Sequence, residues 1–214
     1  MSDAKDKRLD FPATSRNGDA ILEVLRPLFG AAPVNVLEIA SGSGQHAVHM
    51  TSALPNVTWW PTDLDGDHLL SIDAWRRDCG GDAIRPATRL DVTDKAWRAG
   101  DHPAGWPRAF DALVNMNMIH IAPWAAAEGL IEGASHALSD SGLLYFYGPF
   151  KRNGEHTADS NAAFDESLRS RNSGWGVRDT ADVEALAGRH GLELERAVKM
   201  PANNLSLVFR LKRN

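Results

Sequence analysis

The chain has 214 residues, a length typical of one domain and sufficient for a full sheet with helices on both faces. Its composition is 43% hydrophobic and 24% charged, and its net charge of −5 gives no electrostatic basis for binding nucleic acid or an anionic membrane. The single cysteine, Cys79, excludes an internal disulfide framework, and no segment approaches a secretion signal or the ~18 consecutive apolar residues of a membrane span, so we expect a cytoplasmic protein.

Helices and strands alternate along most of the chain. Residues 1–15 are polar and contain Pro12, so we expect a mobile N-terminal arm before a single domain over 16–214. Apolar periodicity and Gly/Pro boundaries define the later segments. The predicted elements are a helix over 18–29, a strand over 34–39, a helix over 44–54, a strand over 56–62, a helix over 66–78, a strand over 84–90, a strand over 110–115, a helix over 123–138, a strand over 142–147, a helix over 180–190, and strands over 192–199 and 205–211.

This order predicts an α/β fold: a doubly wound, Rossmann-like, seven-stranded sheet that is mostly parallel. The connection over 200–204 is short, so the last strand must run antiparallel to its predecessor. Residues 151–176 are polar and interrupt the alternation. We expect them to form a lid-like insertion with one helix over 161–169.

Ligands of such sheets bind beyond the carboxyl ends of the strands. The first strand runs into a small-residue turn over 40–44 and then a helix, an order that places main-chain N–H groups and a helix N-terminus beside a ligand. Glu38 ends a buried strand, where a carboxylate is costly unless it meets a donor or a cation. Asp63 could accept both ribose hydroxyls of a nucleoside, and Asp91 could accept from an adenine amino group, although aspartate after a strand is also an ordinary turn former.

The pattern Glu38-x-Ala40-x-Gly42-x-Gly44 resembles the first motif of class I S-adenosylmethionine-dependent methyltransferases, with alanine where that motif usually has its first glycine. More closely, several segments resemble one small methyltransferase-like family of unknown substrate. These segments are Arg16-Asn17, residues 40–46, residues 115–121 with Pro123-Trp124, residues 147–150, Ser160-Asn161, Phe164-Asp165 and residues 201–204. The resemblance covers essentially the whole chain from Arg16 onward.

The resemblance implies S-adenosylmethionine as the cofactor. It implies that Glu38 and the 40–44 turn hold the methionyl part, that Asp63 binds the ribose, and that Asp91 with Val92 lies around the adenine. The extra methyl group of Ala40 is expected to tighten the turn without blocking binding. The predicted cofactor-binding residues are Glu38, Ala40, Ser41, Gly42, Gly44, His46, Asp63, Leu64, Asp91, Val92, Asn115 and Met116.

The sulfonium methyl group is already activated, so the protein needs mainly to align donor and acceptor and to exclude water. The candidate catalytic residues are Asn117, His120 and Tyr147, at the ends of the fourth and fifth strands. Only the histidine has an ordinary pKa suited to a general base near neutral pH, and it could equally cap the next helix; a carboxylate or thiolate acceptor needs no base. The predicted substrate-binding residues are Arg16, Asn17, Asn161 and Arg178.

A dinucleotide-binding oxidoreductase is an alternative. The turn also fits Gly42-x-Gly44-x-x-Ala47, with Asp63 about the expected ~20 residues further on. Tyr147-x-x-x-Lys151 has the spacing that short-chain dehydrogenases use on a helix, but Pro149 lies between, and proline in a helix interior costs about 3 kcal/mol. The NAD(P)-dependent oxidoreductase is therefore the weaker hypothesis.

No metal site is expected. His46 and His49 share one helix face, but no third ligand accompanies them, as a catalytic zinc would require. The seven tryptophans lack a basic groove that would indicate nucleic-acid binding, so a small-molecule substrate is expected. Two classes stay open: a small-molecule methyltransferase, and a cofactor-binding protein without turnover that acts as a sensor or interaction partner. The sequence does not indicate the methyl acceptor or the oligomeric state.

Overall fold

The structure is a computed structural model that describes residues 7–212, so the first six residues of the predicted arm lie outside the described part of the chain. The chain divides into two compact units, Met1–Leu90 and Asp91–Asn214, which we call the first and the second unit.

Over residues 7–90, the first unit contains three α-helices and three parallel strands. Its elements are α1 (Pro12–Phe29), β1 (Val34–Ile39), α2 (Gln45–Ala53), β2 (Val57–Asp63), α3 (Gly66–Trp75), a π-helical turn (Arg76–Gly80), a 3-10 turn (Gly81–Ala83) and β3 (Thr88–Arg89). The strand order is β3-β2-β1. Strand β1 is buried and pairs in parallel with β2, in a register that sets Val34 opposite Val57. A parallel pair of this kind needs apolar side chains on both faces, as its sequence provides.

Two elements of the first unit differ from prediction. Helix α1 begins at Pro12 rather than at Gly18, because proline suits the first helical position, where no N–H is needed. Residues 12–15 therefore belong to a helix and not to the arm. Strand β3 is only two residues long, since Pro86 supplies no N–H to extend it, and Ile84 makes only an isolated bridge to Trp59.

The second unit contains the other four strands of the predicted sheet and a separate small sheet. Its elements are α4 (Lys95–Arg98), β4 (Phe110–Met116), a 3-10 turn (Met118–His120), α5 (Trp124–Ala137), β5 (Leu138–Gly148), β6 (Phe150–Arg152), β7 (Glu155–His156), α6 (Asp159–Arg171), β8 (Arg178–Asp179), α7 (Thr180–Gly188), β9 (Leu192–Lys199), a 3-10 turn (Pro201–Asn203) and β10 (Leu205–Leu211). The order is β4-β5-β10-β9 in the larger group and β7-β6-β8 in the small sheet.

Strand directions match the prediction. Strand β4 is parallel to β5, whereas β10 is antiparallel to both β5 and β9. The strand count, the order within each unit and the antiparallel last strand confirm the predicted class: an α/β, Rossmann-like, seven-stranded and mostly parallel sheet. The small sheet was not predicted, because its strands of two or three residues carry no periodic pattern.

Glycine packing fixes helix α5 within the second unit. A Cβ on Gly129 would lie 2.0 Å from the carbonyl oxygen of Val92, and one on Gly133 would lie 2.1 Å from the indole of Trp97. The Trp97 indole N–H also donates to the Gly129 carbonyl at 2.9 Å. Glycine is therefore required at both positions, because α5 packs closely against the residues that follow β3.

Candidate functional site

The glycine turn joins β1 to α2 in the first unit. Its backbone takes positive φ angles at Ala40 (58°), Gly42 (59°) and Gly44 (90°). Glycine is required at the last of these, because a Cβ there would lie 2.8 Å from the main-chain Cα of Ile72. Alanine in the left-handed region costs about 1 kcal/mol, so the turn holds Ala40 in a conformation that glycine would adopt freely.

Asp63, at the end of β2, closes this turn from the side. Its Oδ2 accepts a hydrogen bond from the Gly42 N–H at 2.8 Å, and its Oδ1 accepts from the Asp65 N–H at 3.0 Å. His68 Nδ1 lies 3.2 Å from the same Oδ1. A carboxylate offers roughly four acceptor positions, so Asp63 retains capacity for a ligand hydroxyl. Leu64, the next residue, is 47% exposed.

Glu38 is buried at the end of β1, and its Oε2 accepts from the Trp59 indole N–H at 2.8 Å. Burial raises the pKa of Glu38 from its ordinary 4.5 to about 7, although hydrogen bonds from Trp59 and Ser41 oppose the rise. The carboxyl group therefore changes charge near neutral pH. The Trp59 indole is a donor of the kind that burial of this carboxylate requires. The predicted role of Glu38 in holding the methionyl part of the cofactor stays a prediction.

His46 and Asn17 form a buried pair behind the turn, with His46 Nε2 2.9 Å from the amide oxygen of Asn17. Burial, together with nearby His49, lowers the pKa of His46 to about 4, so the ring is neutral. His49 instead lies 3.1 Å from Asp19. The two histidines thus have separate partners. Arg16, a predicted substrate-binding residue on α1, is exposed.

A short N-terminal segment also lies on this turn, and sequence reasoning missed it. We call Arg8–Phe11 the strap. The Phe11 N–H donates to Gln45 Oε1 at 2.8 Å, and the Leu9 N–H donates to Ser71 Oγ at 2.8 Å. No local pattern could have revealed these contacts, because they join residues 34 and 62 positions apart.

The second unit holds the other predicted strand-end residues. Asp91 Oδ1 accepts from both the N–H (2.8 Å) and the hydroxyl (2.7 Å) of Thr93, so it forms the local turn that is usual for aspartate after a strand. Val92, Asn115 and Met116 are buried. Their predicted contacts with a cofactor stay predictions.

His120 is buried in the second unit and packs edge-on against Phe150, with ring centroids 4.8 Å apart. The Arg178 N–H donates to its Nδ1 at 3.3 Å. Burial and the charge of Arg178 lower the pKa of His120 to about 3. This value does not suit a general base at neutral pH, so the reason for assigning that role to His120 is lost.

The remaining predicted residues of the second unit lie in tight polar contacts. Tyr147 is buried, and its hydroxyl accepts from the Asn204 amide at 2.9 Å. The buried Asn161 donates to Thr157 Oγ1 and to the Asn203 carbonyl, both at 2.9 Å. Of the three predicted catalytic residues, only Asn117 is partly exposed, and its backbone is left-handed with φ of 66°.

Arg178 acts within the second unit as a clamp on main-chain carbonyls. Its Nε donates to Ile119 at 2.9 Å, and one terminal nitrogen donates to Ala122 at 2.6 Å and to Gly174 at 2.9 Å. The guanidinium also lies over the Trp124 ring, at 5.6 Å. These contacts occupy most of the donors that a substrate-binding role would use.

Asp165 is the centre of an ion cluster in the predicted insertion. Its oxygens lie 2.8 Å from Lys151 Nζ, 3.0 Å from His156 Nε2 and 3.1 Å from Arg169 Nε, and they accept from the Val177 N–H at 2.8 Å. Burial alone would raise the pKa of Asp165, but the bonds from Lys151, Val177 and His156 outweigh it and lower that pKa to about 2.

The Tyr147–Lys151 pair of the oxidoreductase hypothesis does not lie on a helix. Tyr147 belongs to β5 and Lys151 to β6, and their side chains bind Asn204 and Asp165 respectively. The structure therefore gives no support to that pair as a dehydrogenase motif.

An open pocket of about 840 Å³ lies beside the ion cluster, within the second unit. This volume is in the range of small-molecule sites. Its lining includes Trp124, Lys151, Arg169, Val177, Arg178, Asp179, Asp182, Leu186 and Arg189. Both signs of charge are present, so the lining does not select one class of ligand.

Solved structures with similar folds are methyltransferases. An O-methyltransferase family protein from Burkholderia thailandensis matches with a TM-score of 0.71 and 16% identity, over 94% of this chain and 60% of that one. Human N-acetylserotonin methyltransferase, solved with S-adenosylmethionine, matches with a TM-score of 0.71 and 15% identity, over 94% of this chain and 53% of that one. Magnesium protoporphyrin IX methyltransferase from Synechocystis, solved with bound S-adenosylhomocysteine, matches with a TM-score of 0.66 and 11% identity, over 92% of this chain and 83% of that one.

These likenesses show that the chain has the fold of these methyltransferases. The chain spans only 60% and 53% of the first two proteins. Within residues 7–212, no helix combines the length and apolar character needed to cross a membrane. A family profile described as "Protein of unknown function (DUF938)" matches residues 8–211, and the chain therefore belongs to the DUF938 family.

Proposed function

We propose that the protein is an S-adenosylmethionine-dependent methyltransferase that acts on a small-molecule acceptor. The observation that carries this proposal is the bond from the Gly42 N–H to the Asp63 carboxylate, at 2.8 Å. It places an acidic side chain with spare acceptor capacity against a glycine turn that opens a helix. A nucleoside whose amino-acid tail carries a carboxylate suits both features, because Asp63 can accept from its hydroxyls and a helix N-terminus favours an anion.

The residues of the first unit fit such a cofactor. Asp63 is suited to accept from the ribose hydroxyls, and the exposed Leu64 offers apolar surface beside it. Glu38, with its pKa near 7, is suited to gain a negative charge when an ammonium group approaches. When bound, S-adenosylmethionine supplies an activated methyl group, so the protein's task is binding, orientation and exclusion of water.

The acceptor-side residues belong to the second unit and stay predictions. Asn117 is the best placed of them, because it alone is partly exposed. His120 and Tyr147 are buried and bonded to neighbouring groups, which supports a positioning role for both. A general base on this side is therefore not part of the proposal.

Calorimetric titration tests the cofactor. S-adenosylmethionine and S-adenosylhomocysteine should bind and NADH should not. Replacing Asp63→Asn should weaken binding about a hundredfold, because two hydrogen bonds to a charged group are each worth about 1.5–3 kcal/mol and the amide keeps only part of that capacity. Asp67→Asn, an exposed neighbour on α3, is the matched control and should bind normally. Binding of NADH alone would support the oxidoreductase instead.

Turnover is tested separately. The protein, S-adenosylmethionine and a deproteinised metabolite extract should yield S-adenosylhomocysteine, and Asn117→Ala should slow that yield without altering cofactor affinity. Tight cofactor binding with no product in any extract fraction would favour a sensor or interaction partner over an enzyme.

A further inference from the structure

The strap is fastened to both helices that flank the glycine turn. On α2, Gln45 accepts from the Phe11 N–H and donates its amide to Asp10 Oδ1, both at 2.8 Å. On α3, Ser71 accepts from the Leu9 N–H at 2.8 Å, and the Trp75 indole donates to the Leu9 carbonyl at 3.0 Å. The strap therefore runs from one helix to the other on the side of the unit where the turn lies.

The first residue of the strap has its own anchor. Arg8 forms an ion pair with Asp78 at 3.1 Å, and its guanidinium lies 5.1 Å from the centre of the Trp75 ring. The ion pair is largely exposed and is worth at most about 1 kcal/mol. Such an anchor holds the segment in place and still permits release.

The Phe11 ring lies directly over the turn. A Cβ built on Gly42 would be 3.1 Å from Cε2 of this ring, so the ring rests where a larger residue would collide. Phe11 is nevertheless 37% exposed. A phenyl group that leaves this much apolar surface open above polar groups has surface available for a ligand to bury.

His68 lies between the Phe11 ring and Asp63, the residue proposed to bind the ribose. The edge of the Phe11 ring meets the His68 ring, with centroids 5.6 Å apart. His68 Nδ1 in turn lies 3.2 Å from the Asp63 carboxylate. Any rearrangement of Asp63 on binding a ligand would therefore be transmitted to Phe11 through one intervening side chain.

We propose that the strap is part of the cofactor site, and that Phe11 contacts the nucleoside part of the cofactor and slows its release. This inference rests on the proposed function, because it names a further binding residue for the same site. Entry of the nucleoside requires the strap to lift from Gly42. Its return buries the exposed face of Phe11 against the ligand.

Release kinetics test the role of the ring. Stopped-flow measurements with S-adenosylhomocysteine should show dissociation about tenfold faster in Phe11→Ala, equivalent to about 1.4 kcal/mol. Association should be unchanged or faster by a smaller factor, because the ring no longer has to move from Gly42 on entry. Phe164→Ala is the matched control, because this phenylalanine in the second unit is similarly exposed, at 39%. It should release the ligand at the wild-type rate.

A second variant separates the strap from the ring. Trp75→Phe keeps an aromatic ring under Arg8 but removes the donor to Leu9, at the last residue of α3. Dissociation should be about threefold faster, since one neutral hydrogen bond is worth about 0.5–1.5 kcal/mol. Limited trypsin digestion of the wild type should also be slowed at the Arg8–Leu9 bond by the ligand.

The outcomes separate the two proposals. If the wild type binds S-adenosylhomocysteine but Phe11→Ala releases it at the wild-type rate, the strap inference is overturned and the cofactor assignment stands. Tighter binding by Phe11→Ala would also overturn it, since the strap would then block the site. If the wild type binds neither S-adenosylmethionine nor S-adenosylhomocysteine, the proposed function itself fails.

Discussion

Two buried carboxylates, one in each unit, have pKa values that are shifted in opposite directions. Glu38 in the first unit and Asp165 in the second expose 1% and 4% of their surface. The pKa of Glu38 rises to about 7, whereas the pKa of Asp165 falls to about 2. Glu38 accepts hydrogen bonds from two donors, whereas Asp165 accepts from four.

The number and the charge of the donors together explain the difference in pKa. Glu38 accepts from an indole and a hydroxyl, both neutral, and their bonds offset only part of the cost of burial. Asp165 lies against Lys151 and Arg169, whose positive charges favour its anion. The second carboxylate is thus charged at neutral pH and is held within an ion cluster. The first has a pKa near neutrality, which agrees with the proposed role of Glu38 in binding the cofactor.

The largest predicted effect comes from removing the Asp165 charge. Asp165→Asn leaves the mostly buried Lys151 unpaired, which should lower the free energy of unfolding by about 3 kcal/mol. Urea denaturation at pH 7 measures it. Glu166→Gln, the exposed neighbour on α6, should change stability by less than about 0.5 kcal/mol. Equal effects of the two variants would mean that the cluster adds no stability.

Glu38→Gln should act in the opposite direction. A pKa raised in the folded state gives stability that is present below the ordinary value of 4.5 and is lost as pH rises through about 7. The amide cannot ionise, so the variant should be more stable than wild type by about 3 kcal/mol at pH 8 and by under about 1 kcal/mol at pH 5.

Thermal or urea unfolding of both proteins across this pH range measures that difference. A gain that does not change between pH 5 and pH 8 would show that ionisation of Glu38 is not its cause. The same variant should also bind S-adenosylhomocysteine with an affinity that no longer rises with pH.

The smallest effect concerns acid stability. A lowered pKa gives stability that is present above the ordinary 3.8 and is lost as pH falls through about 2. The wild type should therefore lose about 1 kcal/mol more than Asp165→Asn between pH 5 and pH 2, a modest amount because Arg169 and His156 are partly exposed and screened. If the wild type and Asp165→Asn lost the same stability between pH 5 and pH 2, Asp165 would not be ionised in the folded protein.

Most of the fold could be predicted, because its signals are local. The bounds of β1, β9 and β10 match the predicted ranges, since each is an apolar or alternating run closed by turn residues. Strand β3 is shorter than its predicted range of 84–90 because Pro86, within that range, cannot donate a main-chain hydrogen bond. The small sheet could not be found, since its pairing depends on contacts distant in sequence.

The candidate site was only partly predictable. The turn and Asp63 carry motif signals, and the structure brings them together. The environment of His120 could not be read from residue type: burial beside Arg178 moves its pKa far from the ordinary range. The contacts of the strap could not be predicted for a different reason: no sequence motif joins Phe11 to Gln45, and only folding brings them together.

The bond from Trp75 to the Leu9 carbonyl gives the protein its own optical reporter. An indole that is hydrogen-bonded and covered by the Arg8 guanidinium emits light differently from one released into water. The difference between wild-type and Trp75→Phe emission would isolate this signal from the other tryptophans. The position of the strap could then be followed in real time, without attaching a dye.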